Sequence, residues 1–399
     1  MNNKITSFEQ LEQHMTVSIQ TNNLKDRICY VEPVNDELLI EFELGNELID
    51  YVEENKVGKL NFICCKFRYP LTLNQKFFNS ISDQTNSEKH KSKLEVLSNL
   101  KFTFGTCTFT NGILLNNLTY NNNFRFWKCH FHKLNIYNAS FNKLFEIVNS
   151  CVYSVALFNK VDFNSNCVFT NTKFYKNCFF TYSTFEKQGI FSRAQFINSG
   201  LDLSQSIING NLTFFETQLD NYTSVRIDSL SKGYDKAITE EGKVPTQNKR
   251  ETFRIIKQQL VEQHNLIEAE KYAKLEKQTF LEEKNLEAIF ENNVLKTFKI
   301  LLSDYIVLKL NKYSNNFKTS WVVALVFILT ISILSHSLLS ICPNYDFNDY
   351  VNVVKLINLT DFSLIENCES QKFYVAHFMT KIFISFGIYQ FIQAFRKFR

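Results

Sequence analysis

Polar side chains recur every fourth residue in two apolar stretches near the end of the chain. Residues four apart lie on successive turns of a helix, so each stretch would carry a polar stripe. The stripes comprise Ser332, His336 and Ser340 in the first stretch, and His377, Lys381, Ser385, Tyr389 and Gln393 in the second. Two kinds of chemistry suit these residue types. The stripes could pack within a pair of helices, or they could line a pore in a homo-oligomer, where Lys381 would form a positive ring that favours anions.

These stripes need helices long enough to hold them. Residues 321–341 carry no formal charge and could span about 30 Å of hydrocarbon as a helix, whereas residues 373–395 form a weaker candidate because they include Lys381. Outside a pore, this lysine would extend its ammonium toward the outer interface. We predict a transmembrane hairpin over residues 319–399. Residues 294–318, which are apolar with interspersed lysines, would precede it as an amphipathic helix in the membrane interface.

The charges that flank the two spans predict their orientation. Residues 296–318 contain five lysines and one aspartate, and residues 396–399 contain three basic residues. The connecting loop, residues 342–372, contains five acidic residues and two lysines. The positive-inside rule therefore places both termini in the cytoplasm, at an inner membrane, with the loop outside. Cys342 and Cys368 lie in that loop, where they would form a disulfide in an oxidising compartment or remain free thiols.

Large apolar residues recur every five positions in the middle of the chain, with occasional intervals of six. Phenylalanine supplies most of them, since 19 of the 40 Phe residues lie within residues 101–219. The runs comprise Phe104, Phe109 and Leu114; Phe131, Ile136 and Phe141; Tyr153, Phe158 and Phe163; then Phe169, Phe174, Phe180, Phe185, Phe191, Phe196, Leu201 and, after a slip, Leu212. This period fits neither an amphipathic helix nor an alternating strand. It predicts a solenoid whose axis is filled by these side chains.

A small residue precedes most of these apolar residues by two positions, so it would also face inward. Six of the ten cysteines occupy this position: Cys65, Cys107, Cys129, Cys151, Cys167 and Cys178. We interpret them as small buried side chains without reactive chemistry. Cys129 would then face inward while His130 and His132 face outward, so these three residues could not converge on one metal ion.

Several triplets in this region resemble those of the pentapeptide-repeat family, whose units read Ala-Asp/Asn-Leu-X-X. They are Cys129-His130-Phe131, Ala139-Ser140-Phe141, Val161-Asp162-Phe163, Ala194-Gln195-Phe196 and Gly210-Asn211-Leu212. The resemblance implies a mainly β fold, a right-handed quadrilateral β-helix with four repeats per coil. Residues 99–222 would form this solenoid, with about six coils and a height of ~29 Å. Residues 1–98 would supply an N-terminal cap, a first coil over residues 60–72 and a polar insertion.

The composition changes to Glu, Lys, Gln and Leu after Pro245. Residues 240–293 are typical of a helical hairpin, with helices over 246–263 and 266–290. Asn265 and Glu268 would form a capping box between the two helices. Three charged residues of the first helix would form either a functional cluster or a salt-bridged helix surface; they are Arg250, Glu251 and Arg254.

Two segments of the linker region strengthen the resemblance and restrict it to one group within the family. The string NKRETFR over residues 248–254 and the string LNKYSNNF over residues 310–317 are similar to segments of bacterial membrane-associated pentapeptide-repeat proteins. One departure is Lys318, which stands where glycine is expected and would make the entry to the first span less sharply bent.

The same features exclude several functions and leave two. The chain contains no phosphate-binding glycine-rich loop, no HExxH and no GxSxG motif, so we expect no catalytic residue and no cofactor. Mimicry of DNA needs an acidic surface, but residues 101–219 carry ten basic and five acidic residues, a net charge of +5. The first hypothesis is a non-enzymatic scaffold, tethered to the lipid bilayer, whose solenoid binds an unidentified protein partner. The second is an oligomeric membrane effector or channel, with the solenoid as sensor or gate and the helices as pore.

Overall fold

The computed structural model of the chain describes residues 4–19, 27–33, 37–74, 87–227, 231, 233–290, 305–339, 349–366 and 371–396. The chain forms two compact units, Met1–His264 and Asn265–Arg399. The helices described in the first unit are α1 (Phe8–Glu12), α2 (Asn46–Glu54), α3 (Ser87–Asn99), α4 (Tyr234–Thr239) and α5 (Thr246–Glu262). Those described in the second are α6 (Leu266–Phe290), α7 (Ile306–Asn315), α8 (Trp321–Leu339), α9 (Val351–Ile357), α10 (Ser363–Glu366) and α11 (Gln371–Phe395).

The first unit is built around a β-solenoid, as the apolar period predicts. Its strands are β1 (Lys4–Ile5), β2 (Met15–Ile19), β3 (Arg27–Val31), β4 (Leu38–Ile40), β5 (Val57–Ile63), β6 (Cys65–Phe67), β7 (Leu71–Asn74), β8 (Lys101–Gly105), β9 (Thr108–Phe109), β10 (Ile113–Tyr120), β11 (Phe124–Trp127), β12 (His130–Phe131), β13 (Leu134–Phe141), β14 (Phe145–Val148), β15 (Cys151–Val152), β16 (Ala156–Phe163), β17 (Cys167–Val168), β18 (Lys173–Phe174), β19 (Cys178–Thr181), β20 (Thr184–Phe185), β21 (Gly189–Ile190), β22 (Gln195–Phe196), β23 (Leu201–Asp202), β24 (Ile207–Ile208) and β25 (Leu212–Thr213).

Three sheets run along the solenoid, and most coils add a strand to each of them. The first sheet has the order β1-β4-β6-β9-β12-β15-β18-β22, and the third has the order β2-β3-β5-β8-β11-β14-β17-β21-β25. The second has the order β23-β19-β16-β13-β10-β7, with β20 and β24 beside β16. The paired strands are parallel apart from β2 and β3, which are antiparallel at the N-terminal end. Within the second sheet, β10, β13 and β16 each contain one residue of positive φ, at Asn117, Asn138 and Lys160, so each supplies two segments to its coil.

Each coil is longer than four pentapeptides would make it. The length follows from the strand register, in which Phe145 pairs with Phe124 of the preceding coil and with Cys167 of the following one, while Gly189 pairs with Leu212. The solenoid accordingly has about five turns, whereas the sequence predicted about six. Each interval of six in the apolar pattern adds one residue to the coil, and every coil contains at least one such interval.

Stacked aromatic rings fill the axis of the solenoid. Since each coil lies on the previous one in register, Phe104 stacks on Phe126 with ring centroids 5.1 Å apart, and Phe174 stacks on Phe196 at 5.0 Å. Phe104, Phe126 and Phe174 are fully buried. Aromatic pairs of this kind add about 0.5–1.5 kcal/mol to the stabilisation that comes from burying their area.

The side chains at the small inward position also donate hydrogen bonds, a role that residue size alone does not predict. Cys129 Sγ lies 3.3 Å from Phe104 O, and Thr172 Oγ1 lies 2.8 Å from Ile147 O, so each side chain bonds to a carbonyl of the preceding coil. Cys107 and Thr217 make the same kind of bond. A residue that is both small and a donor satisfies a buried carbonyl without opening a cavity, which favours Cys, Ser and Thr here.

Two residues predicted to face inward do not. Tyr153 is 39% exposed while its neighbour Val152 is buried, and Leu114 is only half-buried. Ser150 occupies the small buried position in place of Cys151, which is half-buried. Cys151 pairs with His130 before it and with Lys173 after it, so the coil that ends at Cys151 is one residue shorter than the next coil. A difference of one residue reverses the direction of every side chain in a strand.

In the second unit, α8 and α11 are the helices of the described residues that are long and apolar enough to cross a membrane. They run antiparallel, because Trp321 contacts Phe395 whereas Ile328 lies against Gly387. A Cβ added to Gly387 would lie 2.7 Å from Ile328 Cγ1, so glycine permits the close approach of the two helices. Of the predicted interfacial helix, residues 294–304 lie outside the described residues.

The turn between α7 and α8 shows why glycine is expected at residue 318. Asn316, Phe317 and Lys318 all adopt positive φ, at 51°, 59° and 73°. Lys318 keeps the left-handed turn despite its side chain, and its N–H donates to Asn315 Oδ1 at 2.8 Å. Asn315 holds this turn through its side chain.

The stacked core gives a first prediction. We expect Phe131→Ala or Phe174→Ala to lower the free energy of unfolding of residues 1–264 by about 3–5 kcal/mol, because each leaves a cavity in a closed stack. Urea denaturation measures the loss. Phe215→Ala is the matched control, since Phe215 is 61% exposed, and an equal loss for this control would contradict the assignment of the core.

Thiol reactivity gives a second prediction. Burial raises the pKa of Cys29 to about 12 and raises the pKa of Cys107 and of Cys129 well above the usual range, so these thiols stay protonated at neutral pH. Maleimide applied to the folded residues 1–264 should modify the half-buried Cys64 and Cys151 first, as peptide mass spectrometry would show. Early modification of Cys129 would contradict the inward assignment.

Candidate functional site

Helix α5 covers the last coil of the solenoid. Leu203 N donates to Thr252 Oγ1 at 3.0 Å, and Leu212 N donates to Gln259 Oε1 at 2.7 Å. Gln263 Nε2 donates to Leu212 O at 2.6 Å. A final coil has backbone groups with no following strand to pair with, and α5 satisfies several of them. The helix therefore terminates the solenoid and prevents another strand from adding at this end.

The NKRETFR segment begins this cap. Asn248 Nδ2 donates to Asp202 Oδ2 at 2.9 Å, and Tyr234 OH donates to Asn248 Oδ1 at 2.7 Å. Burial raises the pKa of the Asp202 carboxyl, while hydrogen bonds to it act in the opposite direction. Arg254 pairs with Glu251 at 2.5 Å on the exposed side of α5. The segment therefore has a buried face that caps the solenoid and a solvent face with a salt bridge.

The outer face of the third sheet carries an apolar surface that we call the aromatic strip. It consists of Trp127, Val148, Val168 and Ile190, in two adjacent columns of the sheet, and of Phe215, which follows β25 and whose carbonyl accepts from Arg193 N. Trp127 is 47% exposed and Phe215 is 61% exposed, and the aliphatic residues are half-buried. Four coils separate the two aromatic residues, a distance of about 19 Å at the spacing of adjacent strands. Exposed aromatic residues around aliphatic ones are typical of protein-binding surfaces.

Basic residues surround one end of the aromatic strip. Lys128 Nζ lies over the Trp127 ring at 4.5 Å from its centroid. Lys59 and Lys101 pair in the third sheet, next to Arg125, which forms a salt bridge with Glu146 of the following strand. Burial lowers the pKa of Lys59, and the positive charges of Lys101 and Arg125 lower it further. This concentration of positive charge favours a partner whose corresponding surface is acidic.

The first sheet presents a different outer surface. Cys129 is buried while His130 and His132 are exposed, as predicted. His130 Nδ1 lies 2.9 Å from Tyr153 OH, and Tyr153 stacks on Tyr175 with ring centroids 5.3 Å apart. In such a ladder the rings cover one another's faces and leave mainly their edges to solvent, so this surface offers less apolar area than the aromatic strip.

In the second unit, the residues of the α11 stripe do not share one face. His377 and Lys381 are buried, whereas Ser385 and Tyr389 are exposed and Gln393 is half-buried. Each step of four residues exceeds a full helical turn by about 40°, so side chains sixteen residues apart differ in direction by about 160°. Only the first part of the stripe faces the interior of the helical unit.

Lys381 caps the C-terminus of α9. Its Nζ donates to the carbonyl oxygens of Lys355 at 3.0 Å, Leu356 at 3.2 Å and Asn358 at 2.5 Å. An ammonium has three N–H donors, so these bonds use all of them. The last carbonyls of a helix lack intrahelical donors and carry partial negative charge, which makes a cation the preferred partner.

The other predicted stripe residues are placed as follows. Ser332 and His336 are buried in α8, and Ser332 Oγ donates to Ile328 O at 2.8 Å, within its own helix. The His377 ring packs beside Phe373, with centroids 6.2 Å apart. The remaining predicted residues, Ser340, Cys342 and Cys368, lie outside the described residues. The structure thus brings the buried members of both stripes into one helical unit, without a hydrogen bond between Ser332 and α11 in the described contacts.

A buried amide cluster connects α7 to α11, and the sequence pattern did not single it out. Asn315 Nδ2 donates to the side-chain oxygen of Gln390 and, at 3.3 Å, to its backbone oxygen. Gln390 Nε2 donates to Asn311 Oδ1 at 3.2 Å. The signal was present in the LNKYSNNF string, in which Asn311 and Asn315 lie four residues apart. Gln390 was missed because it is outside the interval of four that defines the stripe.

Comparison of the chain with known protein families, with curated proteins and with solved structures finds no match. The structure shows a β-solenoid accompanied by helices, of which two are candidate membrane spans. Assignment to a repeat family depends on the sequence triplets and the two linker strings.

The capping geometry gives a third prediction. Lys381→Met should increase amide hydrogen exchange over residues 351–358, because it removes three charge-assisted hydrogen bonds, each worth about 1.5–3 kcal/mol. Lys372→Met is the control, since Lys372 is exposed near the start of the same helix. Equal exchange in the wild type and in Lys381→Met would show that the lysine does not hold α9.

Proposed function

We propose that the chain is a non-enzymatic bacterial protein in which a pentapeptide-repeat solenoid is tethered to the inner membrane and binds a protein partner. The solenoid would be a right-handed quadrilateral β-helix. Four segments per coil support this shape, as do inward phenylalanines at intervals of five or six residues. The triplets that resemble the repeat family support the same assignment.

The aromatic strip is the observation that carries the proposed binding function. It is exposed on a rigid sheet whose interior is closed by stacked rings, so it needs little reorganisation to receive a partner. The partner would be a protein with an apolar centre, to cover Trp127 and Phe215, and an acidic border near Lys59, Lys101 and Lys128.

The proposed tether consists of α8 and α11. Their length and apolar surfaces support insertion into a bilayer. Five lysines in residues 296–318 and three basic residues in 396–399 support an orientation with both termini in the cytoplasm and the connecting loop outside. The solenoid would then face cytoplasmic partners.

We rank the pore hypothesis second. A positive ring would need the ammonium of Lys381 to face water or passing anions, whereas in this structure three carbonyls occupy its donors. The exposed residues of the stripe, Ser385 and Tyr389, offer no charge. These contacts favour a structural role for the stripe within the helical unit.

Photo-crosslinking in cells tests the proposed function. A benzoylphenylalanine at position 168, within the aromatic strip, should form a discrete crosslink to a protein. The same group at position 132, on the first sheet, should not. Combining position 168 with Trp127→Asp and Phe215→Asp should abolish the crosslink, because charges replace the two exposed aromatic contacts.

Tyr175→Asp is the matched control, since Tyr175 is an exposed aromatic residue outside the aromatic strip and its substitution should leave the crosslink unchanged. The purified protein should also leave liposomes impermeable to small ions. Ion flux that depends on Lys381, with no crosslink at position 168, would reverse the ranking of the two hypotheses.

A further inference from the structure

Part of the loop between the two candidate spans folds against them. Leu356 in α9 and Leu364 in α10 are buried in one core with Leu339, Phe373 and Ile384 of the span helices. Lys381 adds the three hydrogen bonds to the end of α9. The described part of the loop, residues 349–366, is therefore a packed element and is not a free extramembrane connection.

This element also exposes apolar side chains beside the span helices. The Tyr350 ring lies 6.5 Å from the ring of His336 in α8, and the Phe362 ring lies 6.2 Å from the ring of His377 in α11. Tyr350 is 78% exposed, Val351 56%, Val354 65% and Phe362 55%. The first three lie on one face of α9, opposite the buried Leu356. A short helix that buries one apolar face and exposes a second leaves apolar area in contact with water, which is unfavourable.

The position of α9 along the helices gives the depth of this surface. Gly387 of α11 contacts Ile328 of α8, and the two helices are antiparallel. Lys381 precedes Gly387 by as many residues as Leu334 follows Ile328, so Lys381 and Leu334 lie at the same level. Leu334 lies about 20 Å along α8 from Trp321, at 1.5 Å per residue. The C-terminus of α9, which Lys381 caps, is therefore level with the distal part of the span and does not lie beyond it. Leu334 and Leu338 at this level are themselves 61% and 55% exposed.

We propose that the exposed face of α9, together with Phe362, lies in the acyl-chain and headgroup boundary of the leaflet distal to Trp321. This inference depends on the proposed insertion of α8 and α11 into a membrane. The lipid surface is the occupant that the structure favours, because the face continues the apolar surface of the span helices at the same depth. Tyr350 and the half-buried Lys355 have the apolar body and polar end that suit this boundary.

Tryptophan quenching by brominated lipids tests the inference in the full chain. Trp127 and Trp321 are the native tryptophans. With both replaced by phenylalanine, Val354→Trp reconstituted in phosphatidylcholine vesicles with brominated acyl chains should lose a fraction of its fluorescence comparable to that lost by Trp321. Phe362→Trp is a second reporter that keeps an aromatic side chain and should behave in the same way.

Two single-tryptophan chains separate this inference from the proposed membrane tether. Trp321 alone should be quenched, and Trp127 alone, on the solenoid, should not. Quenching of Trp321 without quenching of Val354→Trp and Phe362→Trp would overturn the inference and leave the tether intact. Failure to quench Trp321 would overturn the tether itself. Shielding of Val354→Trp from both brominated lipid and aqueous acrylamide would overturn the inference by showing that protein, such as a second copy of the chain, covers the face.

Discussion

Hydrogen bonding between parallel coils is the constraint on which the rest of the first unit depends. It places each residue beside the equivalent residue of the next coil, as Phe126 lies between Phe104 and Ile147, so similar side chains meet along the solenoid. Phe174 stacks on Phe196 for this reason, and Asn171 Nδ2 donates to Asn149 Oδ1 at 2.7 Å on the exterior. Stability therefore comes from repeated contacts between neighbouring coils, and every coil needs one on each side.

This constraint also explains why the ends have different structures. At the N-terminal end, the antiparallel pair β2 and β3 begins the third sheet. At the C-terminal end, where no strand follows, Thr252 and Gln259 in α5 accept hydrogen bonds from the backbone of the last coil. The buried contact between Asn248 and Asp202 attaches the beginning of the same helix. A helix that supplies side-chain acceptors closes the edge against strands from other molecules.

The sequence was sufficient to predict the solenoid and most of its inward residues, because a period of five has no other simple structural explanation. It failed at Leu114 and Tyr153. A neighbouring large residue faces inward in each case, and the period alone does not show which of the neighbours does so. The number of residues in each of these coils decides which residue faces inward, and this number depends on the register with the neighbouring coil. The role of Thr252 could not be predicted because its partner, Leu203, lies 49 residues away.

The roles of the polar residues of the helical unit were likewise hard to predict, because their partners are distant in sequence. An interval of four grouped Lys381 with Gln393, but the partners of Lys381 are carbonyls of a separate helix, 23 to 26 residues earlier. The amide of Asn315 likewise serves a turn of positive φ and contacts Gln390 on another helix. In both places, a side chain satisfies backbone groups where a helix ends, and low polarity makes such groups costly to leave unpaired. Lys381 and Asn315 are therefore explained by the helix ends that they complete, before any transport function is required.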